Sequence, residues 1–222
     1  MTKITFYGHA CFLLENQGTS LIFDPFLDDN PLSPVKSEEI KADYILLTHW
    51  HVDHLGDTFK IARDNNSQVI STFEMAKTCE ARKIRAHSMH LGGKHKFDFG
   101  FVRVTPAFHG SGIPGGHACG FIVKFFDHVI YHTGDTCLFG DMKLLGELEK
   151  IDLALVPIGD NYTMGISDAA MAVEFIGAKQ VIPMHYNTFP VIECDPQEFK
   201  KEVEERTSAQ CIILAPGESH MI

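Results

Sequence analysis

Three histidines and one aspartate fall within six consecutive positions of the chain, as His49, His51, Asp53 and His54. They directly follow the apolar stretch Tyr44–Leu47. Imidazole nitrogen and carboxylate oxygen are the ligands that suit zinc and its first-row neighbours. If the strand continues, His49 and His51 point to the same side, because side chains alternate along a strand. Asp53 and His54 then fall in the following turn, where they can reach a second metal. The alternative is a histidine-rich polar loop between a strand and a helix, since a motif match needs its structural context.

A catalytic site for two metals needs more ligands than one loop provides. Three further candidates occur where predicted strands end. His109 directly follows the predicted strand Val102–Phe108, Asp135 comes shortly after an apolar strand, and His185 ends another. Sites gather at such positions in layered α/β proteins. Any one of these residues alone would more often be a surface residue, but together with the first loop they predict a metal centre.

The composition is that of an ordinary soluble globular protein, with 222 residues, 45% hydrophobic and 22% charged. One domain spanning 1–222 is the simplest interpretation. The formal net charge of −10 argues against a nucleic-acid partner, because polyanion binding depends on clustered Lys and Arg. The six cysteines form no Cys-X-X-Cys pair and are predicted to be mostly core side chains in a reducing cytoplasm. No apolar run approaches the roughly 18 residues of a membrane span, so no membrane partner is expected.

Strand signals dominate much of the first half of the chain, and helices alternate with strands in the second half. Strands are predicted at residues 4–6, 11–14, 21–23, 44–47, 69–70, 102–108, 120–126, 128–131, 153–157, 181–184 and 211–214. Helices are predicted at residues 58–63, 74–82, 142–150, 167–176 and 196–206. Asp195 before Pro196 is a predicted helix N-cap, and Ser167 is another. This order predicts two sheets packed face to face with helices outside.

The His-X-His-X-Asp-His loop, followed by His109, Asp135 and His185, resembles the metal-binding set of the metallo-β-lactamase superfamily. The resemblance implies an α/β (α+β) protein with a four-layer αββα sandwich, the metallo-β-lactamase fold. Five further motifs resemble the metal-dependent hydrolase branch related to L-ascorbate-6-phosphate lactonase, namely Tyr7–Cys11, Asp24–Phe26, His132–Thr136, Pro157–Asp160 and Pro183–Pro190. The resemblance covers nearly the whole chain, and the last motif is specific to that branch.

The resemblance also implies two metal sites and their ligands. One metal would be bound by His49, His51 and His109, the second by Asp53, His54 and His185, with Asp135 bridging both. The expected cofactors are two divalent metal ions, Zn²⁺ with Mn²⁺, Fe²⁺ or Ni²⁺ as alternatives, because this ligand set accepts all of these. A water shared by two such cations loses a proton near neutral pH, and this metal-bridging hydroxide would be the nucleophile. Asp53 is expected to orient it, and His9 is the second candidate catalytic residue.

The leading hypothesis is a cytoplasmic metal-dependent hydrolase that acts on a lactone, amide or phosphoester in a small-molecule substrate. One alternative is a phosphodiesterase or nuclease of the same fold, which the acidic charge disfavours. The other is a noncatalytic metal-dependent binding protein, because fold does not settle function. Related proteins often self-associate, so the resemblance allows a homo-oligomer.

Several other residues are weaker candidates. Asp24 either orients a ligand histidine or merely starts a loop, and His9 either faces the pocket or is a hydrogen-bonded core histidine. His132 is a candidate support for the metal ligands. Trp50 occupies a position where the family commonly has a small residue and is expected to point away from the ligands. Entrance or substrate contacts are less strongly indicated for Asn161, Tyr162, Thr163, Met164, Tyr186, Asn187 and Thr188. The remaining histidines are interpreted as solvated or structural, namely His87, His90, His95, His117, His128 and His220.

Overall fold

The computed structural model describes residues 1–222, which form two seven-stranded sheets and six α-helices. The strands are β1 (Lys3–Phe6), β2 (Phe12–Asn16), β3 (Thr19–Phe23), β4 (Tyr44–Leu46), β5 (Gln68–Thr72), β6 (Ala86–Met89), β7 (Lys94–Phe97), β8 (Gly100–Pro106), β9 (Cys119–Phe125), β10 (His128–His132), β11 (Leu153–Pro157), β12 (Gln180–Met184), β13 (Gln210–Cys211) and β14 (Ser219–Met221). The helices are α1 (Val52–Leu55), α2 (Thr58–Asn65), α3 (Phe73–Ala81), α4 (Met142–Leu148), α5 (Ile166–Ile176) and α6 (Pro196–Arg206). Short 3₁₀ turns cover Ser37–Glu39 and Pro190–Ile192.

The two sheets have related topologies. The first has the order β14-β1-β2-β3-β4-β5-β6, and the second has the order β13-β12-β11-β10-β9-β8-β7. Each sheet combines antiparallel pairs with a parallel run, β3 to β6 in the first and β10 to β13 in the second. The loops that leave the carboxyl ends of these parallel strands carry most of the candidate site residues, as is usual for open α/β sheets.

A single apolar cluster joins the two sheets, and it includes Phe12 and Phe23 from the first and Phe121 and Leu155 from the second. Each such side chain contributes roughly 1.5–3 kcal/mol when it is fully buried. A second cluster lies between α5, α6 and the second sheet, and a third lies between α2, α3 and the first sheet. The order of layers is therefore helix, sheet, sheet, helix, which confirms the predicted αββα sandwich.

The structure corrects several predicted boundaries around the site. Strand β4 ends at Leu46, so the first two histidines of the motif lie in a loop rather than on the strand. Asp53 and His54 lie in the one-turn helix α1 rather than in a turn. Strand β8 ends at Pro106, and His109 therefore sits within the following loop instead of directly after the strand. These ligands thus gain their positions from loops and a helix end.

Elsewhere the predicted elements agree with the structure only in part. Asp195 is the N-cap of α6, and its Oδ1 accepts the Gln197 backbone N–H at 2.9 Å. Ser167 is not a cap, because α5 begins one residue earlier and its N-cap is Gly165. Strands β6, β7 and β14 were not predicted. The strand predicted at 211–214 corresponds to the shorter strand β13, Gln210–Cys211.

All six cysteines are free, and four are buried, which confirms that most are core side chains: Cys11, Cys79, Cys119 and Cys211. None of the helices combines the length and the apolar character needed to cross a bilayer.

Candidate metal centre

The first ligand group, called here the first cluster, consists of His49, His51 and His109, whose donor atoms lie within 4.8 Å of one another. The Nδ1 atom of His51 lies 3.0 Å from Nε2 of His49 and 3.3 Å from Nε2 of His109. His51 is the N-cap residue of α1, and its extended backbone turns the chain from the loop into that helix. Three imidazoles from two separate loops therefore converge as a set of nitrogen donors typical of an open zinc site.

The second ligand group, called here the second cluster, consists of Asp53, His54 and His185, and His9 lies beside them. Asp53 and His54 are adjacent on α1, whereas His185 follows β12 on the other sheet. The Nε2 atom of His9 lies 3.2 Å from Oδ2 of Asp53. His9 and His185 both have left-handed backbone conformations, with φ of 57° and 55°. The His185 N–H donates to the His9 carbonyl at 2.7 Å, and this bond ties the β1–β2 corner to the end of β12.

Asp135 lies between the two clusters and is almost fully buried. Its Oδ2 atom is 3.0 Å from His185 Nε2 and 3.2 Å from His54 Nε2. The same oxygen is 3.7 Å from His109 Nε2 and 4.0 Å from His49 Nε2. One carboxylate oxygen thus faces imidazole nitrogens from both clusters, which is the position required of a bridging ligand.

Asp24, which follows β3, contacts one of the candidate ligands directly. Its Oδ2 atom lies 2.7 Å from Nδ1 of His54, and the same carboxylate accepts the Thr48 N–H at 2.8 Å and the Thr48 O–H at 2.6 Å. The Thr48 hydroxyl in turn lies 3.0 Å from Nδ1 of His49. These contacts turn the Nε2 atoms of His54 and His49 towards the centre, as supporting groups commonly do for metal-binding histidines. The role of Asp24 was among the possibilities predicted from the sequence, whereas the role of Thr48 was missed.

His132 supports the loop that carries Asp135. Its Nε2 atom lies 3.0 Å from the Ala10 carbonyl oxygen, and the Gly134 N–H donates to its Nδ1 at 3.2 Å. The ring stacks on Phe23, with centroids 4.9 Å apart. His132 therefore donates to the Ala10 carbonyl and accepts from Gly134, in the turn that carries Asp135. These contacts agree with its predicted supporting role.

The loop that carries His109 also covers the backbone of the first cluster. The Trp50 N–H donates to the Ser111 carbonyl at 2.8 Å. Gly112 has φ of +72°, and a Cβ added there would lie 2.8 Å from the His51 backbone nitrogen. Only glycine fits this close approach without a shift of the backbone. The Trp50 ring packs against Phe59 instead, with centroids 5.6 Å apart, which confirms that it points away from the ligands.

Burial and neighbouring charges shift the pKa values within the site. Burial lowers the pKa of His9 to about 4 and also lowers the pKa of His49. Burial alone would raise the pKa of Asp135, but His185 and His54 outweigh it and hold that pKa well below the usual range. For His54, burial is outweighed by Asp135 and Asp24, which raise its pKa. The Asp135 carboxylate is therefore favoured in its ionised form, which is the form that binds a metal.

Four buried side-chain atoms at the centre have no hydrogen-bond partner within the protein: Nε2 of His9, Nε2 of His54, Nδ1 of His185 and Oδ1 of Asp135. Buried polar atoms normally have partners, because leaving one unpaired costs free energy. Metal coordination would satisfy the His54 and Asp135 atoms. The donor types, imidazole nitrogen and carboxylate oxygen, fit a divalent metal ion.

A cavity of about 810 Å³ opens onto this centre. Its lining includes His51, Asp53, His109, Asp135 and His185. Among the weaker candidates, Tyr162 lines the cavity, whereas Met164 is buried in the core cluster under α5. Tyr186, Asn187 and Thr188 do not line it.

The structure instead places those three residues in supporting contacts. The Thr188 hydroxyl lies 2.9 Å from His9 Nδ1, and the Asn187 side chain accepts the Cys194 N–H at 2.9 Å. Tyr186 packs against the core cluster of the second sheet. The contact between Thr188 and His9 links residues 179 positions apart, and no local pattern in the sequence signals it.

The remaining histidines lie outside the two clusters. The rings of His87 and His95 are 4.3 Å apart, and those of His90 and His117 are 5.2 Å apart. These pairs were not anticipated, because their members come from different segments. His128 contacts the Thr2 hydroxyl, and His220 contacts the Gln180 side chain, as expected for structural residues.

Comparison with known proteins extends the similarity over the whole chain. Residues 3–185 match the family model described as the β-lactamase superfamily domain. A UPF0173 metal-dependent hydrolase of Natranaerobius thermophilus is 52% identical over 217 residues, which cover 98% of either chain. One of Bacillus cereus is 46% identical over 226 residues, also covering 98% of either chain. The solved structure of Igni18, described as a novel metallo hydrolase from the hyperthermophilic archaeon Ignicoccus hospitalis, superposes with a TM-score of 0.93 at 36% identity, covering 99% of this chain and 97% of its own.

Proposed function

The chain belongs to the metallo-β-lactamase superfamily and to its UPF0173 metal-dependent hydrolases, and from this premise we propose that it hydrolyses a small-molecule lactone, amide or phosphoester at a centre for two metal ions. The coarser assignment, a metal-dependent hydrolase, follows from the family. The number of metals, the preference for Zn²⁺ and the bond that is cleaved are proposals. The narrower resemblance to L-ascorbate-6-phosphate lactonase stays a prediction.

The position of Asp135 carries the proposal. Its Oδ2 atom lies between 3.0 and 4.0 Å from imidazole nitrogens of both clusters. A carboxylate placed between two nitrogen-rich groups reduces the repulsion between two bound cations. A site for one metal would not require this second group of ligands on the far side of the same carboxylate.

The proposed ligands are those expected from the sequence. The first metal would be held by His49, His51 and His109, the second by Asp53, His54 and His185, and Asp135 would bridge. Two divalent cations bound there supply an acidified water and stabilise the negative charge that develops on the substrate oxygen. The protein side chains supply the orientation.

Asp53 and His9 act together in this proposal. The Asp53 side chain lines the cavity and is 24% exposed, and its Oδ2 atom lies 3.2 Å from His9 Nε2. Burial alone would raise the pKa of Asp53, but the neighbouring His9 and His54 side chains together outweigh it and lower the pKa. Asp53 therefore remains ionised and can accept a hydrogen bond from the attacking water. The Thr188 hydroxyl lies 2.9 Å from His9 Nδ1, and this contact holds the ring with its Nε2 atom towards Asp53.

The test combines metal analysis with hydrolysis assays. Protein purified without added metal should contain about two metals per chain, and turnover of a panel of lactones, esters, amides and phosphodiesters should collapse in Asp53→Ala. The matched control is Asp64→Ala, which removes an exposed carboxylate of α2 outside the cavity. Protein that cannot hold metal after reconstitution would refute the proposal. Protein that is replete with metal but inert on the whole panel would favour a noncatalytic binding role.

A further inference from the structure

The cavity wall beyond the metal ligands presents a band of apolar side chains. Phe26, Val52, Leu55, Phe189 and Val191 all line it. Val52 is 81% exposed and Val191 is 50% exposed, although apolar surface is favourably removed from water. An apolar surface that lines a cavity beside a reactive centre marks a place where a ligand is bound. A substrate group that covers this band would gain free energy from the burial.

The carboxylate groups that line the cavity outside the proposed ligands belong to Asp29 and Asp57. Asp29 is exposed, and Asp57 is held in place by two backbone N–H groups that donate to its Oδ2 at 3.1 and 2.9 Å. The lysines of the adjoining segments are directed to Asp28 instead. Lys60 Nζ lies 3.2 Å from the Asp28 carboxylate, and Lys36 Nζ donates to the Asp28 carbonyl at 2.8 Å. The lining residues therefore include carboxylates and imidazoles but no lysine or arginine.

Resting on the proposed hydrolase function, we infer that the non-reacting part of the substrate is an uncharged apolar group, such as an alkyl chain or an aromatic ring. Against this wall, a phosphate or carboxylate on that part would lose hydration and face Asp29 and Asp57. Burial of an unpaired anion is costly, and like charges repel. The preferred substrate is therefore a lactone, ester or amide without an anionic handle, which excludes a phosphorylated lactone as a good substrate.

The chemistry of this substrate class needs no further reactant. Water adds to the acyl carbon, the bond from that carbon to the leaving oxygen or nitrogen breaks, and the leaving group takes a proton. The products are a carboxylate and an alcohol or amine. The apolar part stays unchanged, and the free energy of its binding positions the acyl carbon at the centre.

Hydroxamic acids test this selectivity without turnover, because their common head group binds divalent metals. Three compounds of equal chain length, ending in a methyl, an ammonium or a phosphate group, would be titrated calorimetrically into the protein loaded with Zn²⁺. The phosphate-ended compound should bind at least about tenfold more weakly than the methyl-ended one, since one charge repulsion of about 1.4 kcal/mol is a factor of ten. The ammonium-ended compound should bind more tightly than the phosphate-ended one.

A charge reversal at Asp29, which lines the cavity, separates electrostatics from the shape of the cavity. Asp29→Lys should reduce the ratio between the Kd of the phosphate-ended compound and that of the methyl-ended compound by about threefold or more. Asp64→Lys changes the net charge equally, but Asp64 lies outside the cavity, so this variant should leave the ratio of the two Kd values unchanged. Equal or tighter binding of the phosphate-ended compound to the wild type would overturn this inference and leave the proposed function standing. If none of the three compounds binds the protein loaded with Zn²⁺, both this inference and the proposed function are refuted.

Discussion

The hydrogen bonds of Asp24 allow a sharp test of how the metal centre is held. Its Oδ1 accepts the Thr48 N–H at 2.8 Å, and its Oδ2 is contacted by the Thr48 hydroxyl at 2.6 Å and by His54 Nδ1 at 2.7 Å. Both carboxylate oxygens are therefore used. Asp24→Asn keeps the shape of the side chain but replaces one oxygen with an amide NH₂. Whichever way the amide lies, a donor faces a donor.

The magnitude follows from these contacts. Because Asp24 is fully buried, loss of one charge-assisted hydrogen bond should destabilise the protein by about 1.5–3 kcal/mol. The amide also removes the acceptor that fixes the Nδ1 proton of His54, so Nε2 is no longer reliably free to bind a metal. Loss of such a supporting contact typically weakens metal binding about 10–100-fold, or about 1.4–2.7 kcal/mol.

The assay is a competitive titration of Zn²⁺ against a chromogenic chelator, with urea unfolding of the metal-free protein as the measure of stability. Asp43→Asn is the matched control, because Asp43 also accepts a backbone N–H and a hydroxyl, both from Ser20, but lies in an exposed position. Unchanged metal affinity in folded Asp24→Asn protein would refute the argument. Equal losses of affinity in both variants would show that the effect is one of general stability.

Three other substitutions test the remaining structural arguments. Gly112→Ala should destabilise the protein by about 1–3 kcal/mol and reduce its metal content. The control is Gly115→Ala, because Gly115 also has a positive φ, of +75°, but no atom lies within 4 Å of its added Cβ, so this variant should show only the backbone strain. Equal metal content in both variants would contradict the steric argument. Thr188→Val removes the hydroxyl that lies 2.9 Å from His9, so kcat should fall about 3–10-fold at unchanged metal content, and an unaltered kcat would remove this hydroxyl from the mechanism. Asp195→Ala should lower the free energy of unfolding by about 1 kcal/mol, while Ser167→Ala should not lower it by loss of a cap; equal losses would refute the cap assignment.

The ligand residues could be proposed from the sequence because their types are dense and their positions are regular. The loop from His49 to His54 concentrates imidazole and carboxylate groups, which are metal ligands, and Asp135 and His185 follow strongly apolar strands. The local conformation of that loop was harder to predict. Helix α1 is a single turn of four residues, too short to show a helical period, so its residues were expected in a turn.

The missed strands share a different cause. Strands β6 and β7 have the sequences AHSM and KHKF, in which few residues are apolar. Both lie at an edge of their sheet, where one side has no strand neighbour. Edge strands commonly carry polar and charged side chains, which protect them against pairing with other chains. The alternation that signals a buried strand is therefore weak at these positions.

The supporting contacts could not be predicted because they depend on how the two halves dock. Asp24 and His54 follow elements of the first sheet, whereas Asp135 and His185 follow strands of the second. The distances of 3.2 Å from His54 to Asp135 and 3.0 Å from His185 to Asp135 exist only when the sheets pack face to face. Periodicity specifies each sheet separately, but the apolar cluster between the sheets sets their separation. The same burial that stabilises the sandwich therefore brings the two clusters into metal-binding distance, and a cavity in that core would be expected to weaken metal binding as well as stability.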